Sequence, residues 1–435
     1  MQPSRQANSV FLILGFLAMI AGVPLGQIAL ELRRNEPVQF TELFRFTPST
    51  ANLRRYEKTL EEKSWVRRQV RPTVQWLLFA AFGDMGSQAL LGREQWLFYR
   101  PGVRYLLQGD RLEPPEDHSI WVEPCSGQTR RESVLRAIVR YRDQLKQRGI
   151  ELVVVPAPEK ASVYPEMLSR RAEAPLNPFR SPTEALLPAL RQHGVETIDL
   201  FALFREARRA NLVSSPGPLY LAQDSHWTPA GAKLAAGALA ARLRQLGCVQ
   251  QASRRYVVRE VSVVRYGDVL QMIQAPGIGA CFSGQTVQCR QIADTVIGLM
   301  VPRPGSREGG FMNAHLKDTP WEPSVLVLGD SFSRIYQTAE PQSLGRAVEP
   351  AAEPADSKRL LPGSAGFASL LAEALGASVD YILADGGAAT DVRRKLSVYG
   401  EILENKKVVV WEFTERDVGL GRRGWEDVPL PPELY

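Results

Sequence analysis

The sequence predicts an α/β fold: a largely parallel sheet flanked by helices, preceded by an N-terminal transmembrane helix. Three observations predict it. From Glu132 onward, short apolar strands alternate with amphipathic helices. The run Val325-Leu326-Val327-Leu328 stops at Gly329-Asp330-Ser331, as a buried strand stops at a sharp turn into a helix. Near the start, Val10 to Leu30 is almost wholly apolar, and a helix of ~20 such residues spans a bilayer.

In order, the apolar run comes first. Arg5 precedes it and Glu31, Arg33 and Arg34 follow, so flanking charge does not settle orientation. Two readings compete, a cleaved signal peptide and a retained anchor. The run is long for a signal core and no convincing small-x-small cleavage site follows it, so residues 1–35 are expected to be a retained anchor. Residues 36–90 read as a helical stem, with Arg-rich faces between Thr41 and Ala81. Residues 91–435 form the α/β domain. It opens on an aromatic strand, Trp96 to Tyr99, after a turn at Gly92. Glu132 to Gly149 is an amphipathic helix with a glycine stop, and Ile150 to Val155 a buried strand leading into Pro156-Ala157-Pro158-Glu159-Lys160. A helix around Pro182 to Gly194 leads to Val195–Leu200. Thr228-Pro229 marks the start of a helical run, Ala232 to Leu246. Tyr256 to Val301 reads as a strand-and-loop elaboration. Residues 338–366, rich in Pro, Ala, Glu and Ser, read as a mobile loop, a plain insertion rather than a lid. Phe367–Leu375 is a helix, and Val379–Leu383 a strand ending at Ala384-Asp385-Gly386-Gly387. The last strand, Lys407 to Phe413, runs into Thr414-Glu415-Arg416-Asp417.

With 435 residues, 44% of them hydrophobic, the chain can bury a sizeable core. The net charge of +6 leaves acidic glycans or anionic lipid as partners. No nucleic-acid motif and no zinc spacing is present, so neither nucleic acid nor a metal is expected. The four cysteines, Cys125, Cys248, Cys281 and Cys289, include no Cys-x-x-Cys pair. Cys281 and Cys289 flank a short segment that a disulfide would close, with free buried thiols the alternative.

Ser331 lies where a strand gives way to a helix, which exposes its hydroxyl and turns its N–H outward. Both suit a nucleophile that also holds an oxyanion; the plain alternative is a helix-capping turn. Of the four histidines, His118, His193, His226 and His315, only His226 follows an aspartate at a spacing of two. That spacing lets Asp224 fix the imidazole tautomer while the other nitrogen faces a nucleophile. His315, on the approach to the serine strand, is the competing base, and His118 has no assigned role. The candidate triad is Ser331, His226 and Asp224. Sites in parallel sheets lie at the carboxyl ends of strands, where Lys160, Ser331, the Gly386-Gly387 turn and Arg416 all fall. The Gly386-Gly387 turn is a candidate second oxyanion donor, or an ordinary tight turn. Arg416 is a candidate ligand-orienting residue, or a partner of Glu415 or Asp417.

Five stretches carry a resemblance: Gly92 with Trp96-Leu97-Phe98, Val155 to Lys160 with Tyr164-Pro165, Asp224-Ser225-His226-Trp227-Thr228, Gly329 to Ser333, and Trp411 to Asp417. Together they resemble the alginate O-acetyltransferase family of the AlgX/AlgJ type, which carries an SGNH-hydrolase-like domain. The similarity spans roughly residues 90 to 420. The motif order looks circularly rearranged, since ordinary SGNH esterases have the serine block first. Gly92-Arg93-Glu94-Gln95-Trp96 departs from the family's common Gly-x-x-Gly-Trp. The resemblance implies Ser331 as nucleophile, His226 as base and Asp224 as its orienter; Lys160, Arg416 and Trp227 stand beside them as substrate-binding candidates. It implies no cofactor. It implies a periplasmic enzyme, anchored to the inner membrane, that acetylates an exopolysaccharide. A membrane-bound O-acyltransferase would supply acetyl groups, among other exopolysaccharide biosynthesis proteins. Because the chain ends soon after Arg416, it looks closer to the membrane-anchored J type than to the X type with its carbohydrate-binding module.

The expected function is therefore acetyl transfer through an acetyl-serine onto polysaccharide hydroxyls. A carbohydrate acetylesterase would use the same triad with water as acceptor. A non-catalytic scaffold subunit of an export complex is the third reading.

Overall fold

The computed structural model describes residues 5–47, 49–108, 130–173, 180–210, 217–249, 255–273, 275, 277–294, 298–299, 323–338, 345–347, 364–387, 389–420 and 425–432. His118, Cys125, His315 and most of the 338–366 segment lie outside them.

Two compact units form, the first of residues 1–84 with 274–278, the second of the remainder. In the first unit, helix Arg5–Arg33 contains the apolar run. Its stretch Ile13–Arg33, 21 residues, is long and apolar enough to cross a membrane; at 1.5 Å per residue it measures about 32 Å. Helices Gln39–Glu42, Thr50–Lys63 and Trp65–Phe82 follow. Ser49 and Ser64 cap the latter two through their hydroxyls.

In the second unit, the first hairpin pairs β1 (Ala89–Leu91) with β2 (Leu97–Tyr99). Trp96 N–H donates to Arg93 O (2.9 Å) across its turn, with Glu94 at φ 51° and Gln95 at φ 60°. Two adjacent left-handed residues match the twist of a tight hairpin, and that geometry favours glycine at the second. Gln95 is the position at which the chain departs from Gly-x-x-Gly-Trp. Gln95→Gly is therefore expected to stabilise the domain by about 1 kcal/mol, read as a higher denaturant midpoint with unchanged slope. The bond from Gln95 Nε2 to Cys281 O (3.3 Å) is exposed and its loss offsets little.

The central sheet contains β3 (Glu151–Ala157), β4 (Glu196–Thr197), β8 (Val325–Gly329), β10 (Val379–Leu383) and β11 (Val408–Thr414). Its order is β10-β8-β11-β3-β4, and every pairing is parallel. All residues of β8 and β11 are buried, which explains why they read as continuous apolar runs. Side chains alternate between two cores. Val153, Val155, Val325, Val327, Val408 and Val410 face helices Pro229–Gln245 and Phe367–Leu375. Leu152, Val154, Leu326, Leu328, Val409 and Trp411 face helices Arg130–Gln147 and Asp391–Val398.

The 256–301 elaboration is a second, antiparallel sheet, in the order β7 (Gly298–Leu299), β6 (Gln285–Asp294), β5 (Tyr256–Arg265), β9 (Gly345–Ala347). Of the two readings left open for Cys281 and Cys289, the structure has no disulfide between them. Cys289 is fixed opposite Val261 in the β5–β6 register, inside the core, while Cys281 is exposed beyond the strand.

Candidate active site

Four strands of the central sheet end at one edge, and each delivers a candidate group. β8 ends at Gly329, and Asp330 caps helix Ser331–Arg334 by accepting Phe332 N–H (2.8 Å). The capping role and the exposure of Ser331 therefore coexist: the aspartate caps, and the serine, partly exposed, begins the helix. A Cβ at Gly329 would sit 2.4 Å from Ser333 Oγ, so the turn closes only on glycine. Neighbouring β11 locks it from the side. Glu412 Oε2 accepts Asp330 N–H (3.1 Å) and Ser333 O–H (2.6 Å), and Thr414 N–H donates to Asp330 Oδ2 (2.9 Å). Burial, with Asp330 nearby, holds the Glu412 carboxyl well above the usual carboxylate range.

Asp224 and His226 sit on a loop that folds back on itself. Tyr220 bridges Trp227, and Thr228 N–H donates to Leu219 O (2.8 Å). Thr228 Oγ1 then caps the helix that starts at Pro229. His226 Nδ1 lies 2.6 Å from Asp224 Oδ1, which also accepts the His226 backbone N–H (3.1 Å). Asp224 Oδ2 accepts Arg265 Nε–H (2.8 Å) and Asp268 N–H (3.1 Å). Burial alone would raise the Asp224 pKa, but Arg265 and His226 outweigh it and hold the carboxyl well below its ordinary range. An ionised carboxylate only accepts, so the proton of the pair resides on Nδ1 and Nε2 carries the lone pair. Among the described residues, Nε2 has no hydrogen-bond partner. The His226 ring packs on Phe332, centroids 4.8 Å apart, one residue beyond Ser331. No hydrogen bond joins Ser331 Oγ to Nε2 in this structure; such bonds are often long before substrate binds.

Arg265 and Asp268 are not marked by the sequence motifs. They bracket the turn after β5, where Gly267 has φ 82° and an added Cβ would lie 2.1 Å from Gln223 O. That close approach brings Asp268 to the triad loop. Its carboxylate accepts Ser225 N–H and O–H, both at 2.6 Å, and lies 3.5 Å from His226 Nδ1. A β-branched run ending in Arg-Tyr-Gly-Asp is the local signal that points to a strand-end turn here. Asp224, His226 and Asp268 place ligand atoms within 4.8 Å of one another. The buried Arg265 guanidinium already supplies the cation for Asp224 there, a donor set that suits a proton relay better than a metal.

Burial favours neutral His226, yet Asp268 and Asp224 overcome it and raise its pKa above the ordinary value. A general base must be neutral, so activity would rise with pH through that raised pKa. Asp268→Asn keeps the shape and removes one charge. The acid limb of kcat/KM against pH is expected to move to lower pH; an unmoved or raised limb would remove Asp268 from the relay.

The other expected ligand-facing residues have different places. Lys160, after β3, is buried, and its Nζ donates to Leu221 O (3.0 Å), Ala222 O (2.9 Å) and Asp224 O (2.6 Å). Its three donors hold the triad loop instead of facing outward; burial draws its pKa down to about 7 against Asp224, Asp268 and Glu159. Trp227 is also buried, T-shaped on Phe332 (5.1 Å) and stacked on Phe367 (5.6 Å), so it packs rather than lines a surface. Gly387 N–H is committed to Ala384 O (3.1 Å), and Gly386 of the same turn has φ 59°. Arg334 Nε ties the turn to the serine helix through Asp385 Oδ1 (2.5 Å). The Arg416 side chain, 14% exposed, pairs with Glu159 and lies over the Tyr99 ring (5.1 Å). Glu415 points inward, accepting Ser162 and Ser181 hydroxyls, and burial pushes its pKa up to about 8.

Comparison with known proteins gives a consistent answer. Residues 89–415 match the family described as "SGNH hydrolase-like domain, acetyltransferase AlgX". Over 340 residues the chain is 23% identical to "Probable alginate O-acetylase AlgJ" of Pseudomonas aeruginosa, covering 78% of this chain and 72% of that one. Over 168 residues it is 32% identical to the Pseudomonas putida protein of the same name, covering 37% and 35%. The solved "O-Acetyltransferase Domain of Pseudomonas putida AlgJ" superposes with a TM-score of 0.51 at 23% identity, over 76% of this chain and 92% of that one. A match across three quarters of its length, on the α/β framework described above, places this chain in the SGNH hydrolase-like acetyltransferase family of AlgX.

Proposed function

We propose that the chain is an O-acetyltransferase of an alginate-like exopolysaccharide, working through an acetyl ester on Ser331. The observation that carries this reading is the oriented Asp224–His226 pair, its Nε2 unpartnered among the described residues and its ring against the residue after Ser331. Nε2 takes the Ser331 hydroxyl proton as Oγ bonds to the acetyl carbonyl carbon. The tetrahedral oxyanion is held by the Ser331 N–H, with Gly386 as second donor. Collapse breaks the bond to the donor's leaving group, which receives the proton from His226. A sugar hydroxyl then gives its proton to Nε2 and attacks the acetyl-serine, and Oγ leaves with that proton. Arg416 orients the polymer, while Lys160 fixes the loop carrying Asp224. The apolar N-terminal helix supports anchoring in the inner membrane with the second unit in the periplasm. There a membrane-bound O-acyltransferase would supply acetyl groups.

Intact-mass analysis of the full chain in detergent, after incubation with an activated acetyl ester, tests this. One acetyl is expected on the wild type, mapped to Ser331, and none on Ser331→Ala. Adduct of equal yield on both would remove Ser331 from the chemistry. Acetyl-oligosaccharide formation, exceeding acetate release when polymer is added, separates transferase from esterase.

A further inference from the structure

Helix Trp65–Phe82 contributes no buried residue to its unit. Val66, Val70, Val74, Leu77 and Ala81 follow one another at helical spacing, so they form a continuous apolar stripe along one side. Val70, Val74 and Leu77 are 46%, 45% and 55% exposed. The helix contains Arg67, Arg68 and Arg71 and no acidic residue. By helical periodicity the arginines project from one flank of the stripe; Arg67 reaches Glu61 (3.0 Å) on the preceding helix.

Its starting point is fixed within the same unit. Gln27 is the first polar side chain within the apolar run Val10–Leu30. Gln27 Oε1 accepts Trp65 N–H (2.8 Å), and the Trp65 indole N–H donates to Val23 O (3.3 Å). An added Cβ at Gly26 would lie 3.2 Å from the indole, so the two helices meet closely. The helix thus begins beside Val23–Gln27, in the half of the Val10–Leu30 run nearer its carboxyl end.

We propose that helix Trp65–Phe82 lies in the surface of an anionic phospholipid bilayer, its Val66–Ala81 stripe among the acyl chains and its arginines among the headgroups. The occupant is lipid, not a second copy of the chain: the basic flank complements an anionic surface, and the stripe starts at Val66, beside Val23 of the apolar N-terminal helix. The proposal rests on the reading of residues 5–33 as a membrane anchor.

The test uses the full chain in proteoliposomes containing an acyl-chain diazirine lipid, with cross-linked peptides mapped by mass spectrometry. In phosphatidylcholine mixed with phosphatidylglycerol, lipid adducts are expected on residues 66–81 as well as on 5–33. In phosphatidylcholine alone, or for Arg67→Gln/Arg68→Gln/Arg71→Gln, adducts on 66–81 should fall about tenfold while those on 5–33 persist. Val74→Glu/Leu77→Glu should lose them too. Adducts confined to 5–33 would overturn the proposal and leave the anchor intact. Adducts on neither would overturn both. Chain-to-chain cross-links through 66–81 in place of lipid adducts, or yields on 66–81 indifferent to lipid charge, would also overturn it.

Discussion

Ser331→Ala and His226→Ala are each expected to reduce acetyl transfer roughly 10⁴- to 10⁶-fold, and the double variant by no more than the worse single one. The reason lies in the geometry around Nε2. The nitrogen is useful only if an acidic hydroxyl meets it, and that hydroxyl is inert unless a base takes its proton. Once either is gone, what remains is binding and oxyanion stabilisation, which the second substitution does not touch. Asp224→Asn should approach the same floor, because an amide no longer requires the proton to sit on Nδ1. Single-turnover acetyl transfer from an activated ester reads all of these. Losses that multiply in the double variant would mean that the two side chains act independently, and the triad assignment would fail.

Arg265→Met is expected to be the most damaging change that touches no reacting atom. Arg265 and Asp224 are a buried pair at 2.8 Å, both side chains almost fully enclosed. Removing the cation leaves a buried carboxylate with only His226 and two backbone N–H groups to hold its charge, which destabilises by about 3 kcal/mol. The sign with pH follows. Asp224 is held below its ordinary pKa, so its contribution to stability is present above the unfolded pKa and lost as pH falls through the folded one. Without Arg265 the folded pKa rises, and acid unfolding should begin at higher pH. Arg265 also lowers the pKa of His226, so the acid limb of activity should move up, opposite to Asp268→Asn. Asp224→Asn/Arg265→Met should be more stable than Arg265→Met alone, since the orphaned charge is gone. Denaturant unfolding across pH measures each; additive losses in the double variant would show that the pair is not coupled.

The sheet was legible in the sequence where burial on both faces leaves a long apolar run. The strand Val379–Leu383 and the helix Phe367–Leu375 stand where periodicity puts them, and β3, β8 and β11 differ from expectation by a residue or two at their ends. β4 has only two residues in its ladder, since an edge strand needs little sequence to pair. Asp224 and His226 could be read because two residues on one turn meet through local geometry. Arg265, Gly267 and Asp268 could not, because their distance from the triad loop is closed by the β5–β6 register and by one backbone approach that only glycine permits. Lys160 was placed at the correct sheet edge and Trp227 beside the candidate histidine, but neither position says which way a side chain turns. Lys160 turns inward because three carbonyls of the triad loop meet its ammonium, and Trp227 because Phe332 and Phe367 form a slot for it.

The strand order has a consequence for how the domain comes into being. β11, the last strand among the described residues, lies between β8 and β3, and its partner β3 is more than half the chain length away in sequence. A chain emerging from its amino end can pair β3 with β4 and β8 with β10, but these remain two ribbons with raw edges until residues 408–414 arrive. The seam strand also delivers Glu412 and Thr414 to the serine turn. Assembly of the sheet and completion of the hydrogen bonds that lock the Gly329–Ser333 turn are therefore one late event. A ribosome stalled before Val408 should hold a protease-sensitive chain whose serine is not yet reactive.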